Sequence, residues 1–256
     1  MPKIRLDQLL LDKGLASTIE KSRFLIISGN ILVNNQKIVK SGHQVSEDVH
    51  LKIIKDFPLY VSRGGQKLAG AHRELRFSIQ DKIALDVGIS TGGFTDYLLQ
   101  NGIDFVFGVD VAYGQVAHKL IIDDRLFLLD RTNARNLTRD FLFSKLVPRP
   151  DLIARANNIS LVVMDLSFIS ILKVLPAVRN LVLGKADFIV LIKPQFEAEK
   201  QEIGPKGIIK DEQIHANILS RLETMLNEQG FKVKNSCVSP ILGTKGNKEF
   251  FFWLTN

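Results

Sequence analysis

The chain has a single cysteine, Cys237, among 256 residues. That excludes an internal disulfide framework and leaves no thiolate cluster for a structural zinc site, which fits a reducing compartment. The expected role of Cys237 is packing within a strand. The five histidines, His43, His50, His72, His118 and His215, show no metal-ligand spacing with one another, so no metal is expected. No uninterrupted apolar run approaches the roughly 18 to 20 residues of a membrane span. Residues 1–8 mix Lys3, Arg5 and Asp7 with isolated apolar positions and lack the continuous hydrophobic stretch of a secretory signal. The expectation is a soluble cytoplasmic protein without a membrane partner. Internal repeats and low-complexity tracts are also missing. Oligomeric state is left open, with a monomer compatible.

What is present is enough apolar material for a substantial core: 45% of the residues are hydrophobic and 24% charged. The formal net charge of +7 favours an anionic partner such as nucleic acid, because Lys and Arg neutralise phosphates and release counterions. A solvated basic surface with no partner is the competing reading of the charge alone.

Two domains are expected. Leu6, Leu9 and Leu10 recur at helical spacing between Arg5 and Lys13, and Ile19 to Ile27 gives a second short helix ending at Ser28-Gly29. Ile31-Leu32-Val33, the turn Asn34-Asn35 and Ile38-Val39 read as a hairpin, with Val49 to Ile54 as a further strand. Residues 1–56 would form this small α+β domain and residues 57–63 a linker, where Asp56-Phe57-Pro58 breaks the pattern. Residues 64–256 would form an α/β domain of Rossmann-like type. It starts with a helix through Leu68 to Leu75. Apolar runs at Ile83 to Val87, Phe105 to Val109, Leu126 to Leu129, Leu161 to Met164 and Phe188 to Ile192 then alternate with helical segments, the pattern of a parallel sheet covered on both faces. Two closely spaced strands, near Phe231 to Cys237 and Lys248 to Leu254, suggest an antiparallel pair ending a seven-stranded sheet.

Ala84 to Phe94 carries a buried strand into a glycine-rich turn and then a helix, which places a ligand at the carboxyl end of the first strand. Gly88, Gly92 and Gly93, with Ser90, Thr91 and Phe94 in the same turn, would let the backbone approach that ligand closely. Asp110, ending the next strand, is positioned to accept hydrogen bonds from ribose hydroxyls. The nicotinamide pattern is absent, because Ser90 occupies the place of its second glycine. Asp86 would be repelled by a pyrophosphate, whereas the cationic sulfonium and amino groups of S-adenosylmethionine would tolerate it. S-adenosylmethionine is therefore the expected cofactor. Asp130, Thr132 and Asn133 are candidates either for reading an adenine edge or for capping a loop. Gly204-Pro205-Lys206-Gly207, with Lys200 and Lys210 near it, reads as a basic loop that closes over RNA or as a plain solvated connection.

Seven blocks now resemble a known family: Ser62 to Leu68, Gly88 to Phe94, Val109-Asp110-Val111, Asp130-Arg131-Thr132-Asn133, Asp165-Leu166-Ser167-Phe168, Ile192 to Glu197 and Gly246 to Glu249. In this order they look like the TlyA family of rRNA ribose 2'-O-methyltransferases, also named hemolysins, and like the wider FtsJ-like methyltransferases. The resemblance implies a Lys-Asp-Lys-Glu catalytic tetrad falling on Lys67, Asp165, Lys193 and Glu249, with Asp165 also beside the cofactor. A ribose hydroxyl is a poor nucleophile at neutral pH and must be oriented and relieved of its proton as it attacks. Lys193 is the candidate for that role, as neutral base or positioning cation, with Asp165 and Glu249 orienting it and Lys67 holding the substrate. Any one of the four taken alone reads more readily as a surface ion pair; it is their placement at strand ends that favours a site. Lys67 follows the linker closely, so the attachment of the small domain would feed into the active site.

The small domain resembles the S-four-type RNA-binding fold in its helix, helix, hairpin order, in Arg5-Leu6-Asp7 and in Gly29 to Asn34. Arg5, Lys13, Lys21, Arg23 and Lys37 form its candidate phosphate-contacting surface, with Arg63 and Lys206 in the larger domain. The family usually has Ser-Arg before the second helix, where this chain has Thr18-Ile19, leaving Lys21 or Arg23 to take that contact. Ile89 and Ala112 stand where the family usually has smaller residues. The implied activity is methylation of cytidine 2'-hydroxyls in ribosomal RNA, of the small subunit alone or of both subunits. The rivals are a non-catalytic RNA-binding or ribosome-assembly factor and a membrane-active hemolysin; the latter lacks a span or a strongly apolar amphipathic helix.

Overall fold

The computed structural model describes residues 3–54, 59–243 and 245–256. They form two compact units, Met1–Leu59 and Tyr60–Asn256. The expected chain break at Asp56-Phe57-Pro58 lies outside the described residues.

The small unit runs β1 (Lys3–Arg5), α1 (Leu6–Asp12), α2 (Ile19–Ile27), β2 (Ile31–Val33), β3 (Gln36–Lys37), β4 (Gln44–Ser46) and β5 (Leu51–Ile53). Its core is Leu6, Leu9, Leu10, Ile26, Ile31, Val33 and Val45, which is the helical stripe read from the sequence packed on one face of β2. Asn34 and Asn35 adopt φ values of 50° and 64°. Positive φ at both central positions makes a two-residue turn of the type that matches strand twist, and asparagine tolerates it. The turn pairs Val33 with Gln36 and Leu32 with Lys37. The returning strand is therefore Gln36–Lys37 and not Ile38-Val39, because a two-residue turn fixes the register at once. The β1–β4 pair was not foreseen, since three-residue strands carry too little alternation to read.

The large unit continues with α3 (Arg63–Leu75), β6 (Ile83–Val87), α4 (Gly93–Gln100), β7 (Phe105–Val109), α5 (His118–Ile121), β8 (Leu126–Leu129), α6 (Arg139–Leu146), α7 (Asp151–Asn157), β9 (Ile159–Met164), α8 (Leu175–Arg179), β10 (Asp187–Ile192), α9 (Pro194–Glu197), α10 (Glu212–Glu228), β11 (Lys232–Val238) and β12 (Phe250–Thr255). Seven strands form one sheet in the order β11-β12-β10-β9-β6-β7-β8. It is parallel except for β12, antiparallel to both its neighbours. Alternate residues of each strand feed two cores. Leu85, Val87, Val162 and Met164 join one, and Ala84, Leu161 and Val163 join the other. The fold is thus the Rossmann-like α/β arrangement expected from continuous apolar runs.

Two boundaries differ from the sequence reading. The last strand begins at Phe250, so Glu249 precedes it. Tyr60 to Ser62, expected within the connecting segment, pack on the large unit: Val61 N–H donates to Asp96 at 2.7 Å and the Ser62 hydroxyl caps α3 by accepting from Gly64 N–H. Cys237 lies in β11 opposite Phe251, half-buried, and burial pushes its thiol up to about 11.

Candidate active site

Three adjacent parallel strands, β10, β9 and β6, are followed directly by Lys193, Asp165 and Gly88. The carboxyl edge of such a sheet is where loops diverge and leave a crevice. β12 runs the other way, with Ile192 opposite Phe250, so its start lies at that same edge and brings Glu249 beside Lys193. α3 delivers the fourth residue, Lys67, which is 6% exposed.

The four charges sit as two pairs. Lys67 Nζ donates to Glu249 Oε2 at 2.6 Å, and both residues are buried. Lys193 Nζ lies 2.6 Å from Asp165 Oδ1 as an ion pair without hydrogen-bond alignment, and donates to Ser167 Oγ at 2.9 Å. Two cavities open here. One, of about 160 Å³, is lined by Asp86, the Gly88 to Thr91 turn, Gly93, Phe94, Asp165 and Lys193, among others. The other, of about 430 Å³, is lined by Phe168, Phe196, Lys193, Lys245, Asn247 and Glu249 among others.

Asp86 is 1% exposed within an otherwise apolar strand. Its Oδ2 accepts from Thr95 N–H at 3.1 Å and from the Thr95 hydroxyl at 2.7 Å, while Oδ1 has no partner among the described residues. Burial is the main reason its pKa is pushed up to about 7, with the nearby Asp165 adding to the rise. An orphaned buried carboxylate oxygen costs about 1–3 kcal/mol, and a cationic group in the first cavity would restore both its partner and its charge. The residues present therefore fit a positively charged ligand.

The glycines of the turn make room chiefly for protein. Gly88 has φ +85°, and a Cβ there would fall 2.6 Å from the Asp165 carbonyl oxygen. A Cβ on Gly93 would meet Ser62 Oγ at 2.2 Å, and one on Gly92 the Leu120 side chain at the same distance. The turn is thus pressed against the loop bearing Asp165 and against the start of α3, which is what carries Ser62 and Gly64 into the cavity wall. Sequence reasoning missed Ser62, Gly64 and Ser167; of these Ser62 had a readable signal, as a helix N-cap.

Asp110, Asp130 and Asn133 do not line the first cavity. The Asp110 carboxylate accepts from Ser90 N–H at 2.7 Å and Ala112 N–H at 2.8 Å, holding the turn and the following loop together. Asn133 caps a short 3₁₀ turn by accepting from Arg135 N–H, the capping alternative of the sequence reading. Lys206 is exposed at φ 62° beside Gly207, and Asn247 ties that loop down through Gly207 O and Ile209 N–H. Arg63 is exposed at the start of α3.

In the small unit two of the five basic candidates converge on one buried acid. Arg5 makes two hydrogen bonds to Asp7, at 3.0 and 2.7 Å, and Arg23 Nε reaches Asp7 Oδ2 at 3.2 Å. Thr18 caps α2, accepting from Lys21 N–H at 3.2 Å, while Lys21 Nζ donates to Ser17. Lys13 and Lys37 are exposed.

Residues 60–256 match the family model described as FtsJ-like methyltransferase. The chain belongs to that family. Residues 4–50 match the S4 domain model, so the small unit is an S4 domain. The FtsJ-like chain is 41% identical over 253 residues to "Putative rRNA methyltransferase YqxC" of Bacillus subtilis, covering 98% of this chain and 85% of that one. It is 37% identical to the 16S/23S rRNA (cytidine-2'-O)-methyltransferase TlyA of Mycobacterium tuberculosis, covering 98% and 90%. The solved structure "Putative hemolysin from Streptococcus thermophilus" is 34% identical and superposes with a TM-score of 0.72, covering all of this chain and 89% of that one. Among the described residues no helix is long and apolar enough to cross a membrane.

Proposed function

We propose that this protein transfers a methyl group from S-adenosylmethionine to the 2'-hydroxyl of a ribose, of cytidine, in ribosomal RNA of the small subunit and of the large, acting in the cytoplasm. The observation that carries the reading is the meeting of two Lys-carboxylate pairs, Lys67–Glu249 and Lys193–Asp165, beside a cavity walled by an orphaned carboxylate oxygen. The relative named as a 16S/23S rRNA (cytidine-2'-O)-methyltransferase supports the substrate, and the S4 domain and the net charge of +7 support an RNA partner.

S-adenosylmethionine, when bound, supplies an electrophilic methyl group on a cationic sulfur. Asp86 would hold its positive charge, with the turn from Gly88 to Phe94 around it, and Asp110, Asp130 and Asn133 outside the cavity wall shaping the adenosine end through their loops. Lys193, paired as an ammonium with Asp165 in the resting site, releases its own proton to solvent and then receives that of the ribose hydroxyl, and Asp165 stabilises the ammonium that results. Glu249 keeps Lys67 fixed at the substrate side, where its buried ammonium faces the developing negative charge on the ribose oxygen. Lys13, Lys21 and Lys37 of the S4 domain, and Arg63 and Lys206 of the catalytic domain, contact phosphates. Arg5 and Arg23 act chiefly by holding Asp7.

The deciding experiment is transfer of labelled methyl from the cofactor to ribosomal subunits lacking the modification, followed by mapping of the 2'-O-methylated nucleotides. Methylation at a cytidine ribose is the expected result. No incorporation into either subunit would leave an RNA-binding assembly factor as the better account.

A further inference from the structure

Lys193 stands where the two cavities meet, and one other residue lines both of them: Ser167. Its hydroxyl accepts a hydrogen bond from Lys193 Nζ at 2.9 Å. Asp165 is closer, at 2.6 Å, but its Oδ1 makes no aligned hydrogen bond, so it attracts the amine without setting its direction. Among the described residues, the directional contact on Nζ is the serine's.

The segment carrying Ser167 is held at both ends. Asp165 N–H donates to Val87 O at 3.1 Å, which fixes it on β6, and Ile171 N–H donates to the half-buried Glu197 carboxylate at 2.9 Å, which fixes it on the same short helix that follows Lys193. Between these anchors Phe168 takes φ 65°, a left-handed conformation costing a non-glycine residue of order 1 kcal/mol. Its ring remains 87% exposed beside Phe196. Packing of Phe168 into a core therefore does not explain the strain. The bend directly follows Ser167, whose hydroxyl accepts from the lysine amine.

We infer that Ser167 is a positioning residue for methyl transfer, fixing the Lys193 amine so that its remaining direction faces the substrate hydroxyl. Once the ammonium has released its proton to solvent, the amine has two N–H bonds and one lone pair. With one N–H donated to Ser167 and the other drawn toward Asp165, the lone pair is the direction left for the proton of the ribose hydroxyl. This rests on the proposed 2'-O-methyl transfer; the hydrogen bond itself is testable without it.

In the full-length protein, Ser167→Ala should lower kcat by about 10- to 100-fold, the effect of misplacing a reacting group, while KM for rRNA, cofactor affinity and the thermal midpoint stay close to wild type. Ser167→Thr, which keeps the hydroxyl, should recover most of the loss. In protein without substrate, ¹⁵N NMR of the lysine side chains should show the Lys193 amine ordered in wild type and Ser167→Thr and mobile in Ser167→Ala. An unchanged kcat in Ser167→Ala, a thermal midpoint falling in step with kcat, or an unchanged Lys193 signal would each overturn the assignment. A wild-type protein inactive on every ribosomal substrate but showing the NMR difference would sink the methyl-transfer reading and keep the Ser167–Lys193 coupling.

Discussion

Lys67 and Glu249, separated by 182 positions in the chain, meet at 2.6 Å with both side chains more than nine-tenths buried. α3 opens the large unit and β12 ends it, so this ion pair ties the two ends of the domain together beside the candidate active site.

Removing one partner leaves an uncompensated buried charge, which typically costs about 3–5 kcal/mol. Lys67→Met or Glu249→Gln alone should therefore lower the thermal midpoint markedly. The double variant Lys67→Met/Glu249→Leu should regain stability and remain inactive. Differential scanning calorimetry and a methyl-transfer assay on the same samples separate the structural role from the chemical one.

Asp86 gives a pH dependence whose sign can be worked out. Its pKa of about 7 in the folded protein lies above the value of about 4 of an unfolded chain. Between those values the unfolded state has released the proton and the native state has kept it, so this residue's contribution to stability declines as pH rises from about 4 to about 7. Asp86→Asn should flatten that slope in ligand-free protein. A cationic ligand recruits the charged carboxylate, so S-adenosylmethionine should bind with proton release below about pH 7 and lose affinity in Asp86→Asn. Calorimetric titration in buffers of different ionisation enthalpy measures both.

Lys193→Ala should reduce methyl transfer by roughly 10²- to 10⁴-fold, the usual contribution of a positioned acid or base, with cofactor affinity nearly intact. Its contacts to Asp165 and Ser167 are at the junction of the cavities, whereas the orphaned carboxylate is on Asp86. Equal loss of binding and turnover would assign Lys193 to the cofactor instead.

The S4 domain separates two kinds of basic residue. Lys13→Ala and Lys21→Ala should each weaken RNA binding at all sequences and reduce the salt slope of log affinity by up to about 0.9. Arg23→Ala should act first on folding, because its guanidinium holds the buried Asp7 together with Arg5. Filter binding across a salt series, alongside thermal unfolding, distinguishes them.

The central strands were legible because β6, β7, β9 and β10 are five- or six-residue runs made mostly of apolar residues, and burial on both faces demands such runs. Asp86 stood out for the same reason, as a charge inside a strand that could not otherwise be wet. Ser62 was readable as a cap. Ser167 was not, because its part depends on a bend at Phe168 and on an amine 26 positions later.

The sequence by itself determined the strands of the large sheet, the glycine-rich turn after the first catalytic-domain strand, and which four residues carry the resemblance to a methyltransferase tetrad. The strands and the turn follow from local periodicity and residue chemistry, and the four residues from ordered motifs shared with a family, none of which needs knowledge of the path of the chain. Only the tertiary structure decided how the charges are shared: Lys67 with Glu249, Lys193 with Asp165 and Ser167, Arg5 and Arg23 on Asp7, and Asp110 on the backbone of its own loops. A side chain within reach of several partners is committed by geometry, at distances near 3 Å, and the antiparallel return of β12 is what brings Glu249 to Lys67.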